Sequence, residues 1–283
     1  MQQEHHKQVA DFLKSGDYQS AINFLEEIEE KAKDDPDYWY YLALISRKIG
    51  DLQQAEEYCN KALKISPNFR NAVFELGMIY QAKGDYKKAI FLLEEAASAK
   101  GGEVYLSEQV DILNSLGLTY KMAGNHKNAL IRYNAALEGL ATGIYEKIKN
   151  LTVSNVGDAL IPELNLNWHH LAFQILANNT KNDGLKLFAP DNENTLKLMD
   201  KKEGSPVFYD KDGMRYLFPA YYVAFCDELR ANIYYSNILN NIGALFAEIG
   251  ETEKAKKIFR EAIDFIPKGV KFDNPYINLE NLK

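Results

Sequence analysis

Histidine and acidic residues are the first candidates for chemistry in this sequence, because their side chains bind metal ions. His5 is followed by His6, and His169 by His170. Side chains of adjacent helical residues point about 100° apart, so neither pair can bind one ion together. The segment Asp210-x-Asp212-Gly213 begins like a calcium loop but lacks the late bidentate glutamate. The sequence therefore predicts no metal and no cofactor.

Residues for covalent catalysis do not occur in a recognisable arrangement either. No serine or cysteine stands in a nucleophile elbow, no glycine-rich phosphate loop follows a strand, and the zinc motif His-Glu-x-x-His does not occur. We therefore expect that the protein is not an enzyme. A catalytic site would have to lie in the irregular segment 143–218.

Composition and charge narrow the classes of partner. The net charge of −7 and a pI near 5.4 argue against nucleic acid or an anionic membrane as the partner. Cys59 and Cys226 are far apart in sequence and are expected to be free thiols, with Cys59 buried in a helix core. Because no segment approaches about 20 consecutive apolar residues, we expect a protein of the cytoplasm.

The strongest regularity is a six-residue segment that begins with glycine and ends with alanine. It starts at Gly16, Gly50 and Gly84, which are 34 residues apart, and looser copies start at Gly124 and Gly250. Glycine adopts the left-handed conformation that ends a helix, and the acidic or amide residue after it suits the start of the next helix. Each copy therefore predicts a turn between two antiparallel helices.

Small and aromatic residues recur at fixed distances from these glycines: Trp39, Leu42, Ala43, Ala55, Ala62 and Pro67; Leu76, Gly77, Tyr80, Ala89 and Ala96; Leu116, Gly117, Tyr120, Ala129, Tyr133 and Ala136; and Ile242, Gly243, Phe246, Ala255, Phe259, Ala262 and Pro267. The pattern resembles the tetratricopeptide repeat family over roughly residues 2–142 and 219–267. Segments 113–117 and 239–243 are similar to the variant found in kinesin light chains and in bacterial peptide-sensing regulators. The resemblance implies an all-α solenoid of helix-turn-helix repeats.

On this basis the chain divides into four segments. Residues 1–142 are expected to form four repeats, 143–218 an irregular insertion with a degenerate repeat, 219–267 a last repeat, and 268–283 a tail. Stacked repeats share a continuous core, so one elongated solenoid is favoured over two globules. The tail should be loose or lie on the outer face of the last helix.

Within the insertion the period is lost, but several elements can still be predicted. A first repeat helix is expected over 163–179, with a short partner that Ala189-Pro190 would end, and a brief helix near 192–201. The β-prone segments 206–209 and 214–218 flank an Asp/Gly turn, which predicts a β-hairpin. A long helix should then run from Pro219 to Ile249.

The resemblance also implies where a ligand would bind, because the first helix of each pair lines the concave groove in this family. Asparagine can both donate to and accept from the backbone of an extended peptide, and aromatic residues supply apolar pockets. These side chains are expected to face solvent in the free protein. The matching positions are Tyr40, Arg47, Asn71, Phe74, Met78, Asn114, Lys121, Asn237, Asn240 and Asn241.

Family members that bind chaperone tails hold a terminal carboxylate with cationic and asparagine side chains in consecutive repeats. The corresponding positions here are His6 and Ala10, then Tyr41, then Asn71 and Glu75. The cations are missing, which argues against a receptor for such tails.

The sequence therefore favours a protein- or peptide-binding adaptor or scaffold. The rival interpretation is a peptide-gated regulator, in which ligand binding changes the shape of the solenoid and so controls a partner protein. The third is an enzyme or enzyme subunit with its site in 143–218. A regulator predicts a conformational change on addition of peptide, a scaffold little change, and an enzyme a small-molecule pocket in the insertion.

Overall fold

The computed structural model describes residues 1–98, 106–148, 185–187, 207–209, 215–217 and 227–282. Within these ranges no helix is long and apolar enough to cross a membrane. The helices are α1 (Gln3–Ser15), α2 (Tyr18–Ala32), α3 (Pro36–Lys48), α4 (Leu52–Ile65), α5 (Arg70–Ala82), α6 (Tyr86–Ser98), α7 (Leu106–Met122), α8 (His126–Ile148), α9 (Tyr234–Glu248), α10 (Thr252–Asp264) and α11 (Asn274–Glu280).

Helices α1 to α10 follow the predicted helix-turn-helix pairs, so the all-α repeat fold is confirmed. The chain forms two compact units. Unit 1 comprises Met1–Val104 and Ser115–Ala129, and unit 2 comprises Tyr105–Asn114 and Leu130–Lys283. Helix α7 therefore contributes its first half to unit 2 and its second half to unit 1.

The glycine turns have the conformation that the sequence predicts. The φ angle is positive at Gly16, Gly50, Gly84, Gly124 and Gly250, with values from 73° to 93°. In each turn the N–H of the next residue donates to the carbonyl five residues before it, as in Asp51 to Ser46 at 2.9 Å. In four of the five turns the side chain that follows the glycine also caps the next helix, and Asp51 Oδ1, for example, accepts from the N–H of Gln54 at 3.0 Å. Local backbone chemistry therefore sets each turn.

In unit 1, small residues at the repeat positions let paired helices approach closely. Ala21, Ala55 and Ala89 are fully buried. Cys59 is a buried free thiol, as predicted, and burial raises its pKa well above the ordinary range. A buried protonated thiol is a poor nucleophile, so Cys59 acts as a small core residue. Cys226 lies outside the described residues.

In unit 2, α9 and α10 enclose a core of large aromatic rings. The rings of Tyr235 and Phe265 meet edge to face with centroids 5.0 Å apart. Gly243 of α9 lies directly over the buried Phe259 ring of α10, where a Cβ would come within 2.6 Å of Cε1. The glycine is therefore required for this helix contact.

Two helix boundaries differ from the prediction. Helix α8 continues to Ile148 instead of ending near 142, because Leu140 and Ile144 extend its buried face. The long helix predicted from Pro219 is interrupted at 231–233, where Asn232 Oδ1 accepts from the N–H of Tyr234 at 3.0 Å and starts α9 afresh.

The tail beyond the last repeat forms a short helix. Helix α11 contacts both α10 and α9, so the expectation of a loose tail is wrong, and the tail packs against the last repeat helix and its partner. Pro275 is buried at its start, and proline suits the first turn of a helix because its missing N–H would have no partner there. The helix covers the end of the last repeat.

In the insertion the structure describes strands β1 (Leu185–Leu187), β2 (Val207–Tyr209) and β3 (Arg215–Leu217). Strand β2 pairs antiparallel with β3, with Phe208 opposite Tyr216, at the two segments for which a hairpin is predicted. Strand β1 pairs parallel with β3 and replaces the short helix expected before Ala189-Pro190. The helices predicted over 163–179 and 192–201 lie outside the described residues.

Replacing Gly243 by alanine should lower the free energy of unfolding by about 1–3 kcal/mol, because the new Cβ would overlap the packed Phe259 ring. Gly77→Ala is the matched comparison, since its Cβ would meet Leu93 Cδ2 at 2.8 Å and a leucine can change rotamer more easily than a ring. Urea unfolding followed by circular dichroism measures both. A Gly243→Ala protein as stable as the wild type would show that the ring moves aside.

Candidate functional site

The candidate binding residues all lie on α3, α5, α7 and α9, the first helices of their pairs. Most of them are half-buried, and two are buried. The positions are Tyr40 and Arg47 on α3; Asn71, Phe74 and Met78 on α5; Asn114 and Lys121 on α7; and Asn237, Asn240 and Asn241 on α9. Some of these residues make contacts that join two helices, and the others contribute partly exposed surface.

Arg47 belongs to the first group. Its guanidinium forms an ion pair with Glu75 of α5: Nε donates to Oε1, and Nη2 donates to Oε2 at 3.3 Å. The Glu75 side chain is only 1% exposed, and a buried carboxylate requires a paired cation because burial removes its hydration. Arg47 therefore neutralises Glu75 and joins α3 to α5.

The asparagines of unit 2 also join helices. Asn114 and Asn240 are 8% and 7% exposed, so the expectation that they face solvent is wrong. Asn241 Nδ2 donates to Asn114 Oδ1 at 3.0 Å, and Asn278 Nδ2 of α11 donates to Asn240 Oδ1 at 2.9 Å. Neighbouring helices cover these amides, and each amide accepts a hydrogen bond from the helix that covers it.

Asn71 and Asn237 behave differently from the buried asparagines. Both are half-exposed, and neither side chain makes a hydrogen bond to another described residue. Their amides therefore keep donors and acceptors available to a ligand, as the sequence-based hypothesis requires.

Two further polar contacts between first helices were not anticipated from the sequence. In unit 1, Gln81 Nε2 of α5 donates to Thr119 Oγ1 of α7 at 2.6 Å. In unit 2, the Tyr234 hydroxyl of α9 donates to the Asp111 carboxylate of α7. Such contacts are hard to predict from the sequence, because a polar residue on a helix face is usually solvated and its partner here lies on a different helix.

The Asp111 carboxylate is perturbed by this environment. Burial raises the pKa of Asp111 to about 6, the hydroxyl of Tyr234 opposes that rise, and the charge of Glu108 adds to it. Burial and the Asp111 charge raise the pKa of Tyr234 to about 12, so its hydroxyl stays protonated. The Tyr234 hydroxyl therefore donates to an Asp111 carboxylate that is partly shielded from water.

Apolar side chains on α3 and α5 form the open surface of unit 1. Tyr40 and Leu44 are one helical turn apart on α3, and Phe74 and Met78 are one turn apart on α5. All four are half-exposed, as is Asn71, and α3 contacts α5. We call these five residues the α3/α5 face.

Of the two histidine pairs considered as metal ligands, the structure describes His5 and His6. No group of three or more histidine, cysteine, aspartate or glutamate side chains within it could hold a metal ion. His5 instead packs edge-on against Phe24, with ring centroids 5.8 Å apart, and His6 lies beside Tyr41. His169, His170 and the Asp210–Gly213 segment lie outside the described residues.

Comparison with protein-family models matches two parts of the chain. Residues 10–141 match the model described as the Cilia and flagella-associated protein 70 middle TPR-like domain. Residues 236–268 match the model described as Tetratricopeptide repeat. The two matches cover the helix pairs that carry the glycine turns.

Known relatives and solved structures agree with these matches. A TPR repeat-containing protein of Methanocaldococcus jannaschii is 32% identical over 111 residues, which are 38% of this chain and 33% of that protein. The match therefore spans about a third of that relative's length. The crystal structure of a thermophilic TPR protein of Thermus thermophilus has a TM-score of 0.53 at 14% identity and covers 99% of this chain and 97% of that chain. At this identity the likeness shows the fold alone.

A second solved structure, PilF of Pseudomonas aeruginosa, has a TM-score of 0.45 at 14% identity and covers 98% of this chain and 94% of that chain.

Replacing Asn114 by alanine should lower the free energy of unfolding by about 1–3 kcal/mol, because the half-buried amide of Asn241 would lose its acceptor. The control is Asn237→Ala, one helical turn before Asn241 on α9, which should change stability by less than about 0.5 kcal/mol. Urea unfolding followed by circular dichroism distinguishes them. Equal stability of the two variants would mean that Asn241 finds another partner or water.

Replacing Asp111 by asparagine should raise stability at pH 7 by about 1 kcal/mol, once partial exposure to water is allowed for. The folded protein holds the Asp111 proton more tightly than the unfolded chain, whose aspartate titrates near 3.8. Wild-type stability should therefore fall as the pH rises from about 4 to about 6 and stay low above that. Asparagine cannot ionise, so the variant should lack this contribution.

Thermal melts of both proteins between pH 4 and pH 8 test this expectation. The exposed Asp227→Asn variant controls for the loss of one negative charge. A constant difference in stability between the wild type and Asp111→Asn across that range would contradict the assignment.

Proposed function

Because the chain belongs to the tetratricopeptide repeat family, we propose that it is a protein- or peptide-binding adaptor or scaffold. Proteins of this fold generally act through protein interactions. The α3/α5 face is the surface that we assign to the partner. The observation that carries this proposal is the exposure of its apolar side chains at positions where repeat helices present a ligand groove.

The α3/α5 face has the composition that peptide recognition needs. The Tyr40 ring lies edge-on to Phe69, with centroids 6.1 Å apart, and is therefore held by packing on one side. Rigid aromatic anchors lose little conformational entropy on binding, and burial of their remaining surface supplies free energy. Asn71 lies one turn before Phe74 and supplies an amide for the backbone of an extended segment.

The ion pair of Arg47 and Glu75 bears on the kind of partner. Both charges are satisfied within unit 1, so a ligand at this face meets a neutral, largely apolar surface. An apolar segment of the partner therefore fits it better than an acidic one. Lys121, Asn240 and Asn241 remain candidate contacts, with the two asparagines acting mainly to position α9.

Replacing Phe74 or Met78 by alanine should weaken partner binding by about tenfold each, because each change removes an apolar anchor from the centre of the face. Phe91→Ala is the matched control: Phe91 is 68% exposed but lies on α6, the second helix of the same pair. We expect Phe91→Ala to bind with wild-type affinity.

The measurement is calorimetric titration with a partner identified by affinity capture and mass spectrometry, and circular dichroism confirms that each variant is folded. If Phe91→Ala weakened binding and Phe74→Ala did not, the partner would bind to the surface of the second helices, and the α3/α5 face would be the wrong assignment.

A further inference from the structure

Beside Tyr40, helices α1 and α3 of unit 1 enclose an open cavity of about 690 Å³ lined by Gln3, Glu4, His6, Lys7, Ala10 and Tyr41. We propose that this cavity is a subsite for a basic side chain, lysine or arginine, of the bound segment. The inference rests on the proposed function, because the rest of that segment would lie on the α3/α5 face. The inference adds that the ligand carries a positive charge at this end.

The edge of the cavity offers a carboxylate without a permanent counter-ion. Asp37 Oδ2 lies 3.8 Å from His6 Nε2, which is too long for a hydrogen bond. Among the described residues the His6 imidazole is the only basic group within 4 Å of this carboxylate. Asp37 is 30% exposed, so an ammonium or guanidinium group from outside can reach it and form a charge-assisted hydrogen bond.

His6 is already oriented by its other ring nitrogen. Nδ1 lies 3.0 Å from the Tyr41 hydroxyl. Because burial raises the pKa of Tyr41 to about 12, with the charge of Asp37 adding to the rise, the hydroxyl keeps its proton and can donate to Nδ1. The imidazole is thereby fixed with Nε2 directed toward the Asp37 side of the cavity.

Aromatic rings supply a second interaction for a cation. The Tyr41 ring lies 5.3 Å from the Tyr40 ring and 5.7 Å from the His6 ring. A guanidinium or ammonium group above such a ring is attracted by the negative charge of its π face. The rings would hold the aliphatic part of the side chain and Asp37 its charged end.

The charge balance disfavours an anionic ligand here. Lys7 is the only cation among the lining residues, and it lies three residues after Glu4 and four before Asp11, where opposite charges on a helix offset one another. Arg47 is already paired with Glu75. A carboxylate entering the cavity would meet the negative charges of Glu4 and Asp37, with Lys7 as the one lysine or arginine side chain among the lining residues to hold it.

The test uses the full chain with histidine rings labelled with ¹³C, and N-acetylargininamide as the probe. We expect the His6 ring resonances to shift saturably with a dissociation constant in the millimolar range, as is usual for a small fragment, while those of His126 stay unchanged. Asp37→Asn should weaken binding of the probe about fivefold. The matched variant Asp264→Asn, which removes an exposed charge from α10, should leave it unchanged.

N-acetylglycine, a carboxylate of similar size, is the counter-probe and should leave the His6 resonances in place. The proposal is overturned if argininamide does not shift them at up to about 50 mM, if Asp37→Asn binds the probe as the wild type does, or if the carboxylate shifts them more. These outcomes are independent of the Phe74 and Met78 titrations. If the probe does not bind but the Phe74 and Met78 titrations behave as expected, only the proposed preference for a basic residue is wrong. If the probe binds but those titrations fail, the assignment of the α3/α5 face to a partner is wrong.

Discussion

A polar side chain buried between two helices must find its hydrogen-bond partner on the adjacent helix, and this requirement determines how the first helices of the repeats align. An unpaired buried amide or carboxylate destabilises a fold by more than a typical hydrogen bond stabilises it. Both units meet the requirement with pairs of side chains that join neighbouring helices. The pairs are Arg47–Glu75 and Gln81–Thr119 in unit 1, and Asn114–Asn241 and Asn240–Asn278 in unit 2.

The same repeat position therefore serves two purposes. Phe74, Asn114 and Asn240 each lie three residues before a helix glycine. Phe74 leaves part of its ring open to a ligand, whereas the two asparagines are buried and hydrogen-bonded to the next helix. Residue type at this position separates an interaction surface from a structural contact, because an aromatic ring can remain half-exposed at little cost while an amide under a neighbouring helix must be paired.

Features encoded within a few residues could be predicted from the sequence, and features that depend on distant partners could not. Gly50 and Asp51 specify a turn by their own backbone and capping chemistry, so the turns, the helix pairs and the fold class follow from them. The burial of Asn240 depends on Asn278, 38 residues away, and α11 has too few apolar residues for a periodic signal. Strand β1 was missed for the same reason, since its parallel partner β3 is distant in sequence. For the site, Tyr40, Asn71, Phe74 and Met78 are half-exposed on the first helices of their pairs, and their part in binding stays a prediction. The pairing of Arg47 with Glu75 could not be predicted from one helix alone.

The hydrogen bond between Asn114 and Asn241 joins residues 127 positions apart, and this separation imposes an order on folding. The helix pairs of unit 1 close through contacts within about one repeat, and such local contacts form early. Asn114 must wait for α9, which at typical rates of protein synthesis leaves the ribosome about 6 to 25 seconds later. A polar face on the first half of α7 remains hydrated without penalty during that interval, whereas an apolar face there would be exposed to aggregation. Asn114 and Asp111 can therefore stay hydrated until the helix that carries their partners has been made.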